Sequence, residues 1–299
     1  KYSLDNGMTV ILRQDKSLPI ACVNLWYRVG AKDEPPGRSG FAHLFEHLMF
    51  MGTTRIPGND FDVIMETGGG ANNASTSLDR TNYFSSGPSS LLPTLLWLDA
   101  DRLEDLGRAT DQAKLDKQRD VVRNELRQNV ENAPYQKSGE HIFRLMYPSG
   151  HPYHNAVYGT HEDLEAATVH NVRDFFATFY IPNNASLVVA GDFDPAVIKP
   201  QIQRLFGTLP RGGDVKARQV PPARLDRIIR ETMLDQVQLP MIRMVWHSPA
   251  WYAEGDAEMD LLAAVLSQGK NSRLYQRLVM QDKLAVEVSA YQASAGLGS

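Results

Sequence analysis

The sequence predicts an α+β protein of two domains, a larger one over residues 1–210 and the start of a second over 223–299, joined by a linker at 211–222. Three observations carry this reading. Strand-like runs are followed by helix-like runs in the first two hundred positions, an order that belongs to α+β folds and not to alternating α/β ones. The segment 208–222 gathers Pro210, Gly212, Gly213, Pro221 and Pro222 among scattered charges, the composition of an exposed connection. Beyond Ala223 the order strand, strand, helix comes round again, a coarse sign of duplication.

Taken in order, the Asn6-Gly7 pair is the favoured two-residue hairpin turn and predicts short strands on either side of it, the second running from Met8 to Leu12. Residues 20–29 are rich in β-branched and aromatic side chains and stop at Gly30; the polar stretch 32–39, with Pro35-Pro36-Gly37, reads as a loop. That loop feeds a helix over about 40–51. Phe41, Leu44, Phe45 and Leu48 leave it almost no polar face, so it is expected to be buried. A short helix over 61–66 is closed by Gly68-Gly69-Gly70, and strands over 73–77 and 81–86 form a second antiparallel pair ended by Gly87-Pro88. Apolar residues at three- and four-residue spacing predict helices over 91–106, 112–128, 138–146 and 169–180, and 187–190 is an apolar strand. In the second domain, strands are expected over 227–233 and 241–247 and a helix over 257–266.

Composition removes several function classes. With 31 basic and 35 acidic residues the net charge is −4, and the long-range field offers no attraction to nucleic acid or anionic lipid. No run of 18 apolar residues is present, so no membrane span is predicted. Cys22 is the one cysteine; it cannot form an internal disulfide and reads as a small core residue. Gly68-Gly69-Gly70 lacks the spacing and the lysine of a phosphate loop, and Asp99 and Asp101 read as a solvated helix face.

The informative segment is His43-Leu44-Phe45-Glu46-His47. Helical positions four apart lie one turn above each other, so the two imidazoles can converge on one ion with Glu46 beside them. Neutral imidazole is a good zinc ligand, and a catalytic site keeps three protein ligands and leaves one place for water. A carboxylate that does not bind the ion can take that water's proton. The plain alternative is a chance pair of histidines satisfied by backbone or carboxylate partners. Against it stands the cost of burying two imidazoles and a carboxylate among Phe41, Leu44, Phe45, Leu48 and Phe50 with nothing strong to engage them. H-x-x-E-H is the inverted zincin motif. A third ligand is required, and the helix over 112–128 offers Asp116, Asp120 and Glu125.

Here the sequence resembles the insulinase/pitrilysin family of zinc metallopeptidases, which includes the mitochondrial processing peptidase. In that family a zinc-binding glutamate follows the inverted motif some seventy-odd residues later on a helix. Arg119-Asp120-Val121-Val122-Arg123-Asn124-Glu125 matches that helix, with Glu125 lying 78 residues beyond His47. The resemblance thus implies one Zn2+ per chain held by His43, His47 and Glu125, with Glu46 as catalytic base. Members often carry a supporting glutamate seven residues before the ligand. Gln118 stands there, an outer-shell group that can hydrogen-bond but brings no charge.

The likeness runs over essentially the whole chain. Asn73-Ala74-Ser75-Thr76 and Asp79-Arg80-Thr81-Asn82-Tyr83 look like the family's strand pair beside the zinc, whose edge takes extended peptide as an added strand. Asn72 and Asn73 could equally cap a turn. Gly269-Lys270-Asn271-Ser272-Arg273-Leu274-Tyr275 resembles the family's motif after the first helix of its C-terminal domain.

Such proteins close two homologous α+β domains, each a mainly antiparallel sheet packed by helices. Family half-molecules are longer than 299 residues, so the second domain is expected to be truncated and the family's Arg/Tyr pair to fall after Ser299. The implied activity is a zinc endopeptidase acting on extended peptides. The alternative is a zinc-containing subunit that is non-catalytic or needs a homologous partner subunit or a second copy. His151-Pro152-Tyr153-His154 reads as a loop without metal, and His141, His161, His170 and His247 as lone histidines. The resemblance points to the periplasm or another exported location, with the cytoplasm as alternative.

Overall fold

In the computed structural model, which describes residues 1–299, six strands form one sheet: β1 (Tyr2–Ser3), β2 (Thr9–Gln14), β3 (Ile20–Tyr27), β4 (Ala71–Thr76), β5 (Thr81–Pro88) and β6 (Ala185–Gly191). Their order is β1-β2-β6-β3-β5-β4. Every neighbouring pair is antiparallel except β2 with β6, where Thr9 to Gln14 run alongside Ser186 to Gly191 in parallel. The hairpin forms, but around a three-residue loop, Asp5-Asn6-Gly7, and not the two-residue Asn6-Gly7 turn expected. Leu4 N donates to the Met8 carbonyl and Gly7 N to the Leu4 carbonyl, both at 2.9 Å, with Gly7 at φ 91°, in the left-handed region that closes such a loop.

The helices are α1 (Phe41–Leu48), α2 (Asp60–Thr67), α3 (Leu92–Ala109), α4 (Gln112–Leu126), α5 (Gln136–Met146), α6 (His161–Glu165), α7 (Val169–Phe179), α8 (Pro195–Phe206) and α9 (Asp256–Ser267). Alternation along β3 shows which sheet face they cover. Ala21, Val23, Leu25 and Tyr27 are fully buried, while Cys22 and Trp26 point the other way. Cys22 is exposed, not the core residue expected from its type: pairing of Val23 with Ser85 and Val189 fixes the parity and turns Cys22 outward. Against the inner face pack Phe45 of α1, Phe176 of α7 and the neighbouring Tyr180, the last stacked on Phe176 at 5.3 Å. The Tyr83 and Tyr180 hydroxyls satisfy each other at 2.9 Å.

Two helices escaped the periodicity reading. For α8 the signal is present, since the Asp194 carboxylate accepts from Ala196 N at 2.8 Å and Pro195 occupies the first turn. α6 has five residues, too few to show a period.

Asp99 and Asp101 are not a solvated face. They are 1% and 3% exposed, Asp99 pairing with Arg102 and Asp101 accepting from Thr53 and Arg55. The Arg102 guanidinium, itself 3% exposed, lies over the rings of Phe50, Phe61 and Tyr83 at 5.3, 4.6 and 5.4 Å. Buried charges persist when paired, and aromatic faces add cation–π attraction. Removing the cation strands the carboxylate, so Arg102→Met should cost about 3–5 kcal/mol, read from urea unfolding. An unchanged midpoint would mean that Asp99 carries no charge there.

Residues 1–140 and 155–218 form one compact unit, and residues 141–154 and 219–299 another. The six-stranded sheet belongs to the first. In the second, α9 forms as expected, followed by a π-helical turn at Tyr275–Gln281. The strands expected at 227–233 and 241–247 do not form. Extended backbone becomes a strand only beside a hydrogen-bonding neighbour, and none lies against these residues. Ile242, Met244 and Trp246 are accordingly exposed. No helix is long and apolar enough to cross a membrane.

Candidate metal centre

The centre is built on α1. Gly40 precedes it at φ 86°, in the left-handed region, and a Cβ there would stand 2.6 Å from the Tyr158 carbonyl oxygen. A glycine cannot cap with a side chain, so Glu34 reaches in from the preceding loop. Its carboxylate accepts from Gly40 N at 3.1 Å and Ala42 N at 2.8 Å, satisfying donors the helix start leaves free. Burial pushes the Glu34 carboxyl well up, against those two hydrogen bonds. Phe41, Leu44, Phe45 and Leu48 anchor the helix in the core, and His43 and His47 rise one turn apart with their rings edge to face at 4.8 Å.

The opposing side comes from α4. Asp111 caps it by accepting from Lys114 N at 2.9 Å, and Leu115, Val122 and Leu126 bury its inner face. That leaves Glu125 directed at the imidazoles. Its Oε2 is 3.1 Å from His47 Nε2 and 3.8 Å from His43 Nε2, and the two Nε2 atoms are 3.3 Å apart. Two donors bound to one zinc at about 2.0–2.1 Å in a tetrahedron stand roughly 3.3–3.4 Å from each other. The three atoms therefore fit a single tetrahedral ion with one place left over, and this is the one set of three or more potential ligands gathered in this way. His43 also suits the role electrostatically. Burial first, then the neighbouring His47, pushes its pKa down to about 4 against the pull of Glu125, so the ring is neutral and can donate its lone pair at pH 7. The hydrogen bond from His47, with the nearby imidazoles, holds the Glu125 carboxyl below its ordinary value.

Glu46 lies on the same helix. Thr76 Oγ1, from the last residue of β4, donates to its Oε2 at 2.6 Å, and burial raises its pKa against that bond. A carboxylate whose pKa is raised moves toward the operating range of a general base. β4 is the outer strand of the sheet. Its parity divides the four expected substrate-strand residues: Ala74 and Thr76 pair with buried Tyr83 and Thr81 and face α1, while Asn73 and Ser75 face the opposite side. Asn73 Oδ1 accepts from Ala74 N at 2.8 Å, and Asn72 and Asn73 lie within the strand, not in a turn.

Gln118 is buried two turns before Glu125, but its amide donates to Met51 Sδ at 2.6 Å instead of reaching an imidazole. His43 Nδ1, also buried, has no partner. Two neighbours of the centre left no trace in the sequence reading. Asn129 Nδ2 donates to Glu125 Oε1 at 3.2 Å, and the Tyr158 ring sits edge-on to His43 at 5.0 Å. Of the remaining histidines, His141 pairs with Glu231, His161 links Arg123 to Glu131, and His170 pairs with Asp174.

A family model described as insulinase (peptidase family M16) matches residues 9–160, and one described as peptidase M16 inactive domain matches residues 166–298. The zinc protease PqqE of Helicobacter pylori is 29% identical over 294 residues, covering 97% of this chain and 65% of that protein. The chain thus spans about two thirds of the length of that curated relative. A crystal structure of a protease from Helicobacter pylori superposes with a TM-score of 0.85 at 27% identity, covering all of this chain and 72% of the other. The periplasmic protease PqqL of Escherichia coli, at 24% identity and TM-score 0.66 over 74% of this chain and 25% of its own, shares the fold.

Proposed function

The chain belongs to the insulinase family of peptidases, M16, and on that premise we propose that it is a zinc-dependent endopeptidase acting on extended peptides. The observation that carries the reading is the meeting of His43 Nε2, His47 Nε2 and Glu125 Oε2 within 3.8 Å of one another, from two helices, with Glu125 lying 78 positions beyond His47 in sequence. These three residues would hold one zinc ion. Bound zinc would polarise the scissile carbonyl and lower the pKa of a water toward neutrality.

The remaining chemistry falls to this chain's own groups. Glu46 takes the water's proton on Oε1, the oxygen that Thr76 leaves unengaged, and returns it to the departing amine. Thr76 fixes the carboxylate's direction from the edge of the sheet. The outward main chain of β4, Asn73, Ala74, Ser75 and Thr76 included, offers hydrogen bonds that would take a substrate backbone as a further strand, largely without regard to its sequence. The proposed compartment is the periplasm, the location named for the fold-sharing PqqL.

A second reading has its own support, the match of residues 166–298 to a domain described as inactive. Under it the chain is a zinc-containing subunit that is silent alone or works only with a homologous partner. The test is hydrolysis of a quenched extended peptide by the isolated chain. Turnover that a chelator abolishes and added zinc restores supports the endopeptidase. Turnover that begins only once a homologous subunit is added selects the second reading.

A further inference from the structure

Glu125 turns only one of its carboxylate oxygens toward the imidazoles. The other, Oε1, accepts from Asn129 Nδ2 at 3.2 Å and lies 3.5 Å from the Tyr158 hydroxyl, and Asn129 Nδ2 also donates to that hydroxyl at 3.2 Å. We propose that Asn129 and Tyr158 are positioning residues that hold Glu125 Oε1 away from the centre, so that Oε2 alone is offered to a metal. This rests on the zinc reading above. A carboxylate that gave both oxygens would occupy the place a catalytic site must keep open for water.

Both residues are held where they can act. Asn129 lies in a π-helical turn, Arg127–Glu131, that continues α4; such widened turns occur often at functional sites. Glu131 of that turn binds His161 at 3.1 Å, and Arg123 binds His161 at 3.2 Å and Glu165 at 2.6 Å, which ties the end of α4 to α6. Tyr158 is delivered by a backbone approach that only glycine allows. Gly159 is at φ 70°, and a Cβ on it would stand 2.3 Å from Gly40 N. The loop can therefore press against the start of α1 and set the Tyr158 ring against His43, with 80° between the ring planes.

The experiment compares the full chain with Asn129→Ala and Tyr158→Phe, the latter keeping the ring and removing the hydroxyl. Zinc affinity is measured by chelator competition, and the visible absorption of cobalt(II)-loaded protein reports coordination number, because four-coordinate cobalt absorbs far more strongly than five-coordinate. The unsubstituted chain should bind one zinc and give the strong spectrum. Each variant should bind zinc roughly 10- to 100-fold more weakly, the loss typical of outer-shell partners, and show the weaker spectrum. Two variants that match the unsubstituted chain within twofold, with unchanged cobalt absorption, would overturn this inference and leave the zinc reading standing. An unsubstituted chain that binds no zinc would remove the zinc reading, and the inference with it.

Discussion

Replacing Glu46 by Gln should reduce peptide hydrolysis by roughly 10²- to 10⁴-fold, the usual contribution of a positioned proton-transfer group, while one zinc per chain is retained. The two side chains are nearly the same size, so α1 and its contacts have no reason to move. The amide oxygen of the substituted side chain can still accept from Thr76 Oγ1, the bond that orients the native carboxylate at 2.6 Å. What disappears is the capacity to take a proton. Because Glu46 is absent from the group of convergent ligand atoms, metal content should not follow activity down. Hydrolysis within a few-fold of the native rate, at full zinc occupancy, would dispose of Glu46 as the base.

Glu125→Ala should do the reverse and empty the site. It leaves two imidazoles 3.3 Å apart with no anionic ligand. Loss of an outer-shell group commonly weakens a metal site roughly 10- to 100-fold, so loss of a ligand should exceed about 100-fold and leave the dialysed protein with substoichiometric zinc by elemental analysis. The fold should survive, since the Glu125 side chain is 29% exposed and α4 is anchored by Leu115, Val122 and Leu126. A variant that keeps a full equivalent of zinc would show that some other residue completes the site. Together the two variants separate holding the ion from using it.

The sequence made half of this site legible for a geometric reason. Residues four apart on a helix must share a face, so His43 and His47 were readable from spacing alone. Glu125 was not, because 78 residues of intervening fold decide which acidic side chain of α4 meets them, and Asp116 and Asp120 had the same local credentials; only the family likeness chose among them. Asn129 and Tyr158 left no signal, since a π turn and a glycine-to-glycine approach between loops are tertiary facts. The same limit accounts for Asp99 and Asp101, which look like ordinary surface acids until Arg102 and Arg55 are seen beside them. Strand signals held where a neighbour exists, in β3 and β5, and failed at 227–247, where none does. Residue type points Cys22 to the core, but strand parity decides its side and turns it outward.

The placement of β6 between β2 and β3 has a bearing on how the chain acquires its structure during synthesis. Val10 and Val23 emerge early and find local partners in Tyr2 and Ser85, but their strands do not pair with each other; only residues 185–191, between them, join β1-β2 to β3-β5-β4. A nascent chain therefore holds two unjoined strand sets, with the histidine helix already complete, until nearly two hundred residues have left the ribosome. Late closure of so long a loop is slow and exposes apolar strand edges meanwhile. The sheet beneath the histidine helix is thus closed last by a segment that contributes no ligand to the centre.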